Sequence, residues 1–261
     1  AFKGADFIYA ATFKEAQAKL GQDLPLCFLL DIYGADPQMG SPCLPGPQSL
    51  AGALEHAPSQ GELFQGMDAG HSCSSEDGNL FLRRLYAQVE NWQTAFQGAC
   101  QSLGQGSAYG LFNLAGGRAN YPWAAALGYS RKALYEDAVE MMAAGADGLL
   151  RKPQGADQAA IAKATKDAAP GLAKAAFAAV DRRLASLASA LGLSLCQDGD
   201  HLSLAGAMLE GVRHLDQSLA GQPQTSRSEA VDTLQSLRLE NSGLSQEAVS
   251  LLIAFKSWLG R

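Results

Sequence analysis

The sequence predicts a helix-rich α/β protein, with a few mostly parallel strands in its N-terminal half and long amphipathic helices in its C-terminal half. Three observations carry that expectation. Short continuous apolar runs occur at 7–9, 26–33 and 107–114, a helical apolar period begins near residue 79, and helical periodicity is almost unbroken after residue 155. A mainly α protein, with the runs at 26–33 and 107–114 helical, is the alternative.

Phe7-Ile8-Tyr9 reads as a first short strand. Thr12 and Glu15 have capping-box spacing at the head of a helix from Phe13 to Leu20. Leu26 to Tyr33, apolar except for Asp31, reads as a strand buried in a parallel sheet. Residues 34–78 hold five of the ten prolines and many Gly and Ser, with Leu50 to His56 as the one periodic piece, so a surface-wrapping loop is expected there.

From Asn79 to Leu103, Leu82, Leu85, Val89, Trp92, Phe96, Cys100 and Leu103 recur at helical intervals, which predicts one long helix with that stripe buried. Ser107 to Leu114 reads as a strand. Pro122 suits the first turn of a helix carrying Leu127, Leu134, Ala138, Met141 and Met142 and ending at Gly145. Gly148 to Leu150 is then a short strand before Lys152-Pro153.

Beyond residue 155, Leu172, Phe177, Val180, Leu184, Leu187 and Leu191 form one helical stripe. Leu204, Met208, Val212, Leu215 and Leu219 form another, with Ser203 as its expected N-cap. Ser226 and Glu229 have capping-box spacing for a further helix, and Leu244 with Val249 could staple the last. The polar Gln222 to Ser228 segment divides a helix-rich α/β domain at 1–221 from a helical extension at 222–261, which could pack on the body or on another copy.

Composition narrows the function classes. Of 261 residues, 47% are hydrophobic and 18% charged, so a self-folding globular chain is expected. The formal charge is -6 and the basic residues are dispersed, which argues against a nucleic-acid partner. No apolar run reaches the roughly eighteen residues of a membrane span, so no transmembrane segment is expected. The protein reads as soluble, either cytoplasmic or exported after signal removal. The five cysteines form no CxxC pair; Cys27, Cys100 and Cys196, in apolar surroundings, read as small core residues.

Glu136 to Pro153 (EDAVEMMAAGADGLLRKP) resembles the unit that closes a response-regulator receiver domain. Leu29-Leu30-Asp31-Ile32 resembles that family's phospho-acceptor strand. The same helix, Gly-Ala-Asp turn and strand also resemble one step of a TIM barrel. Receiver-type acidic residues do not follow the first apolar run, where Ala10-Ala11-Thr12 stand, and Asp31 lies much further from Lys152 than that fold uses. The segment is therefore read as general αβ-turn chemistry, with Gly145 ending a helix and Lys152 in solvent.

Residues 107–135 resemble the middle of a short-chain dehydrogenase/reductase: a strand through Leu111-Phe112-Asn113, then Tyr129 and Lys132 on one helix, where such a Lys lowers the Tyr pKa. Gly70-His71-Ser72-Cys73-Ser74 resembles a serine-hydrolase elbow. Asp198-Gly199-Asp200-His201 could complete it, with Ser72 as nucleophile, His201 as base and Asp198 orienting the imidazole. The competing role for Asp198 and Asp200 is charge at a helix N-terminus.

The functional expectation is a non-catalytic binding or scaffold protein taking a protein or small-molecule ligand. The alternatives are an ester or thioester hydrolase using Ser72, His201 and Asp198, and a degenerate dehydrogenase/reductase relative. No residue pattern names a cofactor. A metal at His71-x-Cys73 needs at least one more ligand, for which Asp68 and His56 are the candidates, and nothing in the spacing requires it, so no metal is expected.

Overall fold

The computed structural model describes residues 6–35, 60–63, 65–66, 75–102, 105–106, 108–130, 135–221, 228–236 and 243–260. It is a helix-rich α/β structure with a small parallel sheet from the N-terminal half and long C-terminal helices. Two compact units result: one joins Ala1–Ile32 to Gly110–Arg261, and the other is the intervening Tyr33–Tyr109.

In the larger unit, Thr12 caps α1 (Phe13–Leu20) by accepting from the Glu15 N–H, while the Glu15 carboxylate reaches back to the Ala11 N–H, and Gly21 (φ +58) terminates the helix. β1 (Cys27–Asp31), β4 (Ala125–Ser130) and β5 (Gly148–Arg151) form a parallel sheet in the order β1-β4-β5. β4 is the middle strand. Its first four residues are fully buried and small apart from Leu127, as a strand covered on both faces requires.

Three sequence expectations are corrected here. Phe7-Ile8-Tyr9 lies in an irregular segment rather than a strand; its side chains are exposed and the Phe7 and Tyr9 rings stack. Residues 108–114 open a helix, α4 (Ala108–Asn120), rather than forming a strand. Its buried positions, Gly110, Asn113, Leu114 and Gly117, repeat at helical spacing, and a Cβ at Gly110 would lie 2.9 Å from the Ile32 backbone. The missing side chain is what lets the helix sit there. Pro122 starts no helix: the chain turns through residues 122–124 and Leu127 lies in β4, where alanines and glycine had masked the strand signal.

α5 (Tyr135–Ala143) is followed by Gly145 at φ +96, the left-handed conformation that glycine adopts without cost. Asp147 then accepts from the Ala126 N–H and from Arg118, whose guanidinium also reaches the Ala124 and Gly145 carbonyls. The Gly-Ala-Asp turn thus ties β5 to β4 at their N-terminal ends.

α6 (Gln158–Gln197) starts at Asp157, which caps the Ala160 N–H, and runs past an internal Pro170. Its small residues Ala176, Ala179, Ala185 and Ala188 bury with Val180 and Leu184 against α7 (Leu202–Leu219). α8 (Ser228–Ser236) and α9 (Gln246–Leu259) complete the same core, through Leu234, Leu252, Phe255 and Leu259. Trp123, Ala125 and Leu127 belong to it as well, so sheet and helices share one apolar interior. Ser245 caps α9 between Leu244 and Val249, the pair expected to staple it. For α7 the cap is His201 rather than Ser203, and it makes no side-chain capping bond.

Asp181 of α6 accepts from the Trp258 indole N–H of α9 at 2.6 Å. Burial pushes its carboxyl above the usual range, against the lowering effects of that hydrogen bond and Arg182. A raised folded pKa means the native state holds its proton more tightly, so this group's contribution to stability is lost as pH rises through the folded value. Asp181→Asn should remove that loss: relative to wild type, its unfolding midpoint should be higher at neutral pH than near pH 3, below the ordinary Asp value of about 3.9. Parallel pH profiles for the two proteins would contradict this.

In the smaller unit, α3 (Ser75–Ser102) is the long helix expected from residue 79. A short helix, α2 (Gln60–Leu63), lies by it, and Arg84 donates to the carbonyls of residues 62, 63 and 65. β2 (Gly34–Ala35) pairs antiparallel with β3 (Gln105–Gly106). The expected burial of the stripe is corrected: Leu82, Leu85, Val89 and Trp92 are exposed, Trp92 by 47%, while the polar Gln88 is buried. The described elements of this unit are too few and short to cover a helix of 28 residues. The helix expected at Leu50 to His56, the capping Ser226, and the side chains of Phe96, Cys100 and Leu103 lie outside the described residues.

Candidate functional site

Parallel strands deliver side chains to one common end, and in open α/β sheets the crevice beyond the strand C-termini is where ligands bind. Here β1 ends at Asp31, β4 at Tyr129 and Ser130, and β5 at Arg151, with Lys152 following. Strand register aligns Asp31 with Tyr129, and Tyr129 with Leu150. All three lie on one face of the sheet.

Lys152 does not stand in solvent, contrary to the sequence expectation. Its ammonium pairs with Asp31 Oδ2, a partner 121 residues away, and lies 5.3 Å from the centroid of the Tyr129 ring. Its backbone N–H donates to the Ser130 carbonyl at 2.7 Å, which extends the β4–β5 ladder by one residue and brings the lysine alongside the end of β4. The Lys152 side chain is 24% exposed and that of Asp31 43%, so the cation is the better covered partner. Burial, then the neighbouring Tyr9 and Asp31, raise the Tyr129 phenol above its ordinary value, and a neutral ring faces the ammonium.

Asp31 and Lys152 meet because the chain between them leaves and re-enters the larger unit at one point. Most of the intervening residues belong to the Tyr33–Tyr109 unit, and where they return the Gly110 N–H donates to the Ile32 carbonyl at 3.2 Å. Ile32, just past Asp31, is almost completely buried, so the strand end carrying the carboxylate is anchored. The arrangement presents a partly exposed carboxylate with a cation paired to it at the C-terminal ends of the strands.

The other sequence candidates fare differently. Asp198 ends α6 and His201 precedes α7, with His201 Nε2 at 3.9 Å from Asp198 Oδ2, an ion-pair distance longer than a hydrogen bond. Ser72 lies outside the described residues, as do His71, Cys73, Asp68 and His56. The dehydrogenase-like pairing is corrected: residues 111–113 are helical and Tyr129 is on a strand, so the strand and the Tyr-bearing helix of that arrangement are not formed; Lys132 lies outside the described residues. Cys27 is half-buried, its thiol pushed up to about 12 by burial and Asp147, and suits the small-core role expected of it. Cys196 is exposed, which corrects the same expectation there.

Among the described residues, no group of three or more His, Cys, Asp or Glu is placed to hold a metal ion, and Asp31 has an ammonium for its partner. No helix among the described residues is long and apolar enough to cross a membrane. Compared with protein-family models, curated proteins and solved structures, the chain matches none.

Proposed function

We propose that this chain is a signalling protein whose α/β half is receiver-like, with Asp31 as a phosphoryl acceptor and Lys152 as the cation that stabilises the transferred group. One observation carries this reading: the Asp31–Lys152 pair closes across the C-terminal ends of a parallel sheet, joining the two segments that resemble a receiver's acceptor strand and its closing Lys-Pro. In the proposed step, an Asp31 carboxylate oxygen attacks the phosphorus of a small acyl phosphate. The new O–P bond forms as the donor's P–O bond breaks and its carboxylate leaves. Lys152 exchanges Oδ2 for a phosphoryl oxygen, a charge-assisted contact that strengthens as charge gathers there.

Intact-mass spectrometry after incubation with acetyl phosphate, with and without magnesium ions, tests the reading. Wild type should gain one phosphoryl group and Asp31→Asn none. If wild type gains none under either condition, the acceptor role fails, and the pair serves a non-catalytic binding or scaffold protein instead.

The proximity of His201 to Asp198 favours a second reading, an ester or thioester hydrolase with Ser72 as nucleophile, His201 as its base and Asp198 orienting the imidazole. A fluorophosphonate probe should then label wild type and leave Ser72→Ala unlabelled. Equal labelling of both, or of neither, removes it.

A further inference from the structure

We propose that Tyr129 is the positioning residue for Lys152, a seat on the middle strand that holds the ammonium over Asp31. The functional consequence rests on the acceptor role of Asp31; the geometry does not. A lysine side chain reaches its target through a flexible four-carbon stem and gives up rotamer entropy when fixed. Backbone pairing to Ser130 fixes where the Lys152 stem begins, but nothing in that bond directs its far end.

Tyr129 supplies the direction. Strand register puts it beside Asp31 on the same face of the sheet, and its ring lies 5.3 Å from the ammonium, within the roughly 6 Å over which an aromatic face attracts a cation. A phenol is neutral at ordinary pH and burial pushes this one further in that direction, so the attraction belongs to the ring and not to a phenolate. Aromatic ring and carboxylate therefore hold the ammonium from two sides. When a phosphoryl group takes the place of Oδ2, the ring contact remains and keeps the cation at the reacting oxygen.

Tyr129→Phe keeps the ring and Tyr129→Leu removes it, which makes the pair a direct test. Two readouts are compared at a temperature where circular dichroism shows all proteins fully folded. The first is the ring-current shift of the Lys152 ε-methylene protons, read by NMR. The second is the rate of phosphoryl adduct formation from acetyl phosphate. Phe should match wild type in both, while Leu loses the shift and slows adduct formation by about tenfold, the equivalent of a partly desolvated cation–π contact. A Leu variant that keeps the shift, or a Phe variant that falls with it, overturns the proposal. If wild type forms no adduct at all, the acceptor role is what fails, and the NMR comparison still decides the seat.

Discussion

Phe255→Ala is expected to lower the unfolding free energy by about 3–5 kcal/mol, the range for truncating a fully buried aromatic, out of a total that for most domains is only about 5–15 kcal/mol. Phe255 is completely buried in α9, in a cluster that includes Leu252 and Leu259. Across from it, Gly211 of α7 approaches so closely that a Cβ there would lie 3.0 Å from the Phe255 ring and 2.6 Å from Leu259. The ring itself fills the space against the α7 backbone, so its removal leaves that space empty. The cavity term should therefore be close to its full size. Urea unfolding followed by far-UV circular dichroism gives the measurement. A midpoint shifted without a change in slope is the expected result, because α9 shares its core with α6, α7 and the sheet. If the midpoint stayed put while α9 alone lost hydrogen-exchange protection, the C-terminal helix would be a detachable appendage.

Lys152→Met is expected to slow phosphoryl transfer to Asp31 by about 10²–10³-fold, as removal of a preorganised charge-stabilising group commonly does. Its effect on stability should be small. The Asp31 carboxylate is 43% exposed, so water screens the pair, and partly exposed ion pairs contribute at most about 1 kcal/mol. A structural ion pair would give the opposite pattern, with stability lost and no transfer rate to lose. Measuring adduct formation and urea midpoint on the same protein separates the two. Methionine keeps the length of the stem while removing the charge, so any loss of rate reports the ammonium.

What the sequence made legible was local. The capping pair Thr12 and Glu15, a strand within Leu26 to Tyr33, the glycine stop at Gly145 and most of the apolar stripes of α6 and α7 are each written in a few neighbouring residues, and each stands in the structure. Two kinds of element misled. α4 presents a run of Tyr, Leu and Phe that reads as a strand, yet its glycines are what matter, because they admit Ile32 and the rings of Phe13 and Phe28. β4 has the converse composition, alanine and glycine where β-branched residues signal a strand, because both of its faces are filled by neighbours. In both cases packing decides against propensity.

The candidate site was legible only in halves. Leu29-Leu30-Asp31-Ile32 and Leu149-Leu150-Arg151-Lys152-Pro153 each carried a resemblance, but the distance between them along the chain argued against their meeting. That distance is mostly the inserted Tyr33–Tyr109 unit, which adds length to the chain without separating Ile32 from Gly110. A signal was present in principle: a proline- and glycine-rich stretch beginning directly after Asp31 marks a place where a chain can leave a fold and return to it. Tyr129 drew notice only as part of a dehydrogenase-like helix that does not form, and nothing in the sequence tied it to Asp31. Its position beside Asp31 follows from strand register, and register emerges only once β4 is known to be a strand.

The most direct test of the central claim is the chemical identity of residue 31 after phosphoryl transfer. An aspartyl phosphate is an acyl phosphate, and borohydride reduces it to homoserine, a change that survives proteolysis and is located by tandem mass spectrometry. After incubation with acetyl phosphate and reduction, homoserine at position 31 is the predicted result, absent without the donor and absent from Asp31→Asn. Homoserine at another aspartate, or an unmodified Asp31 in a protein that has gained a phosphoryl group elsewhere, would contradict the account.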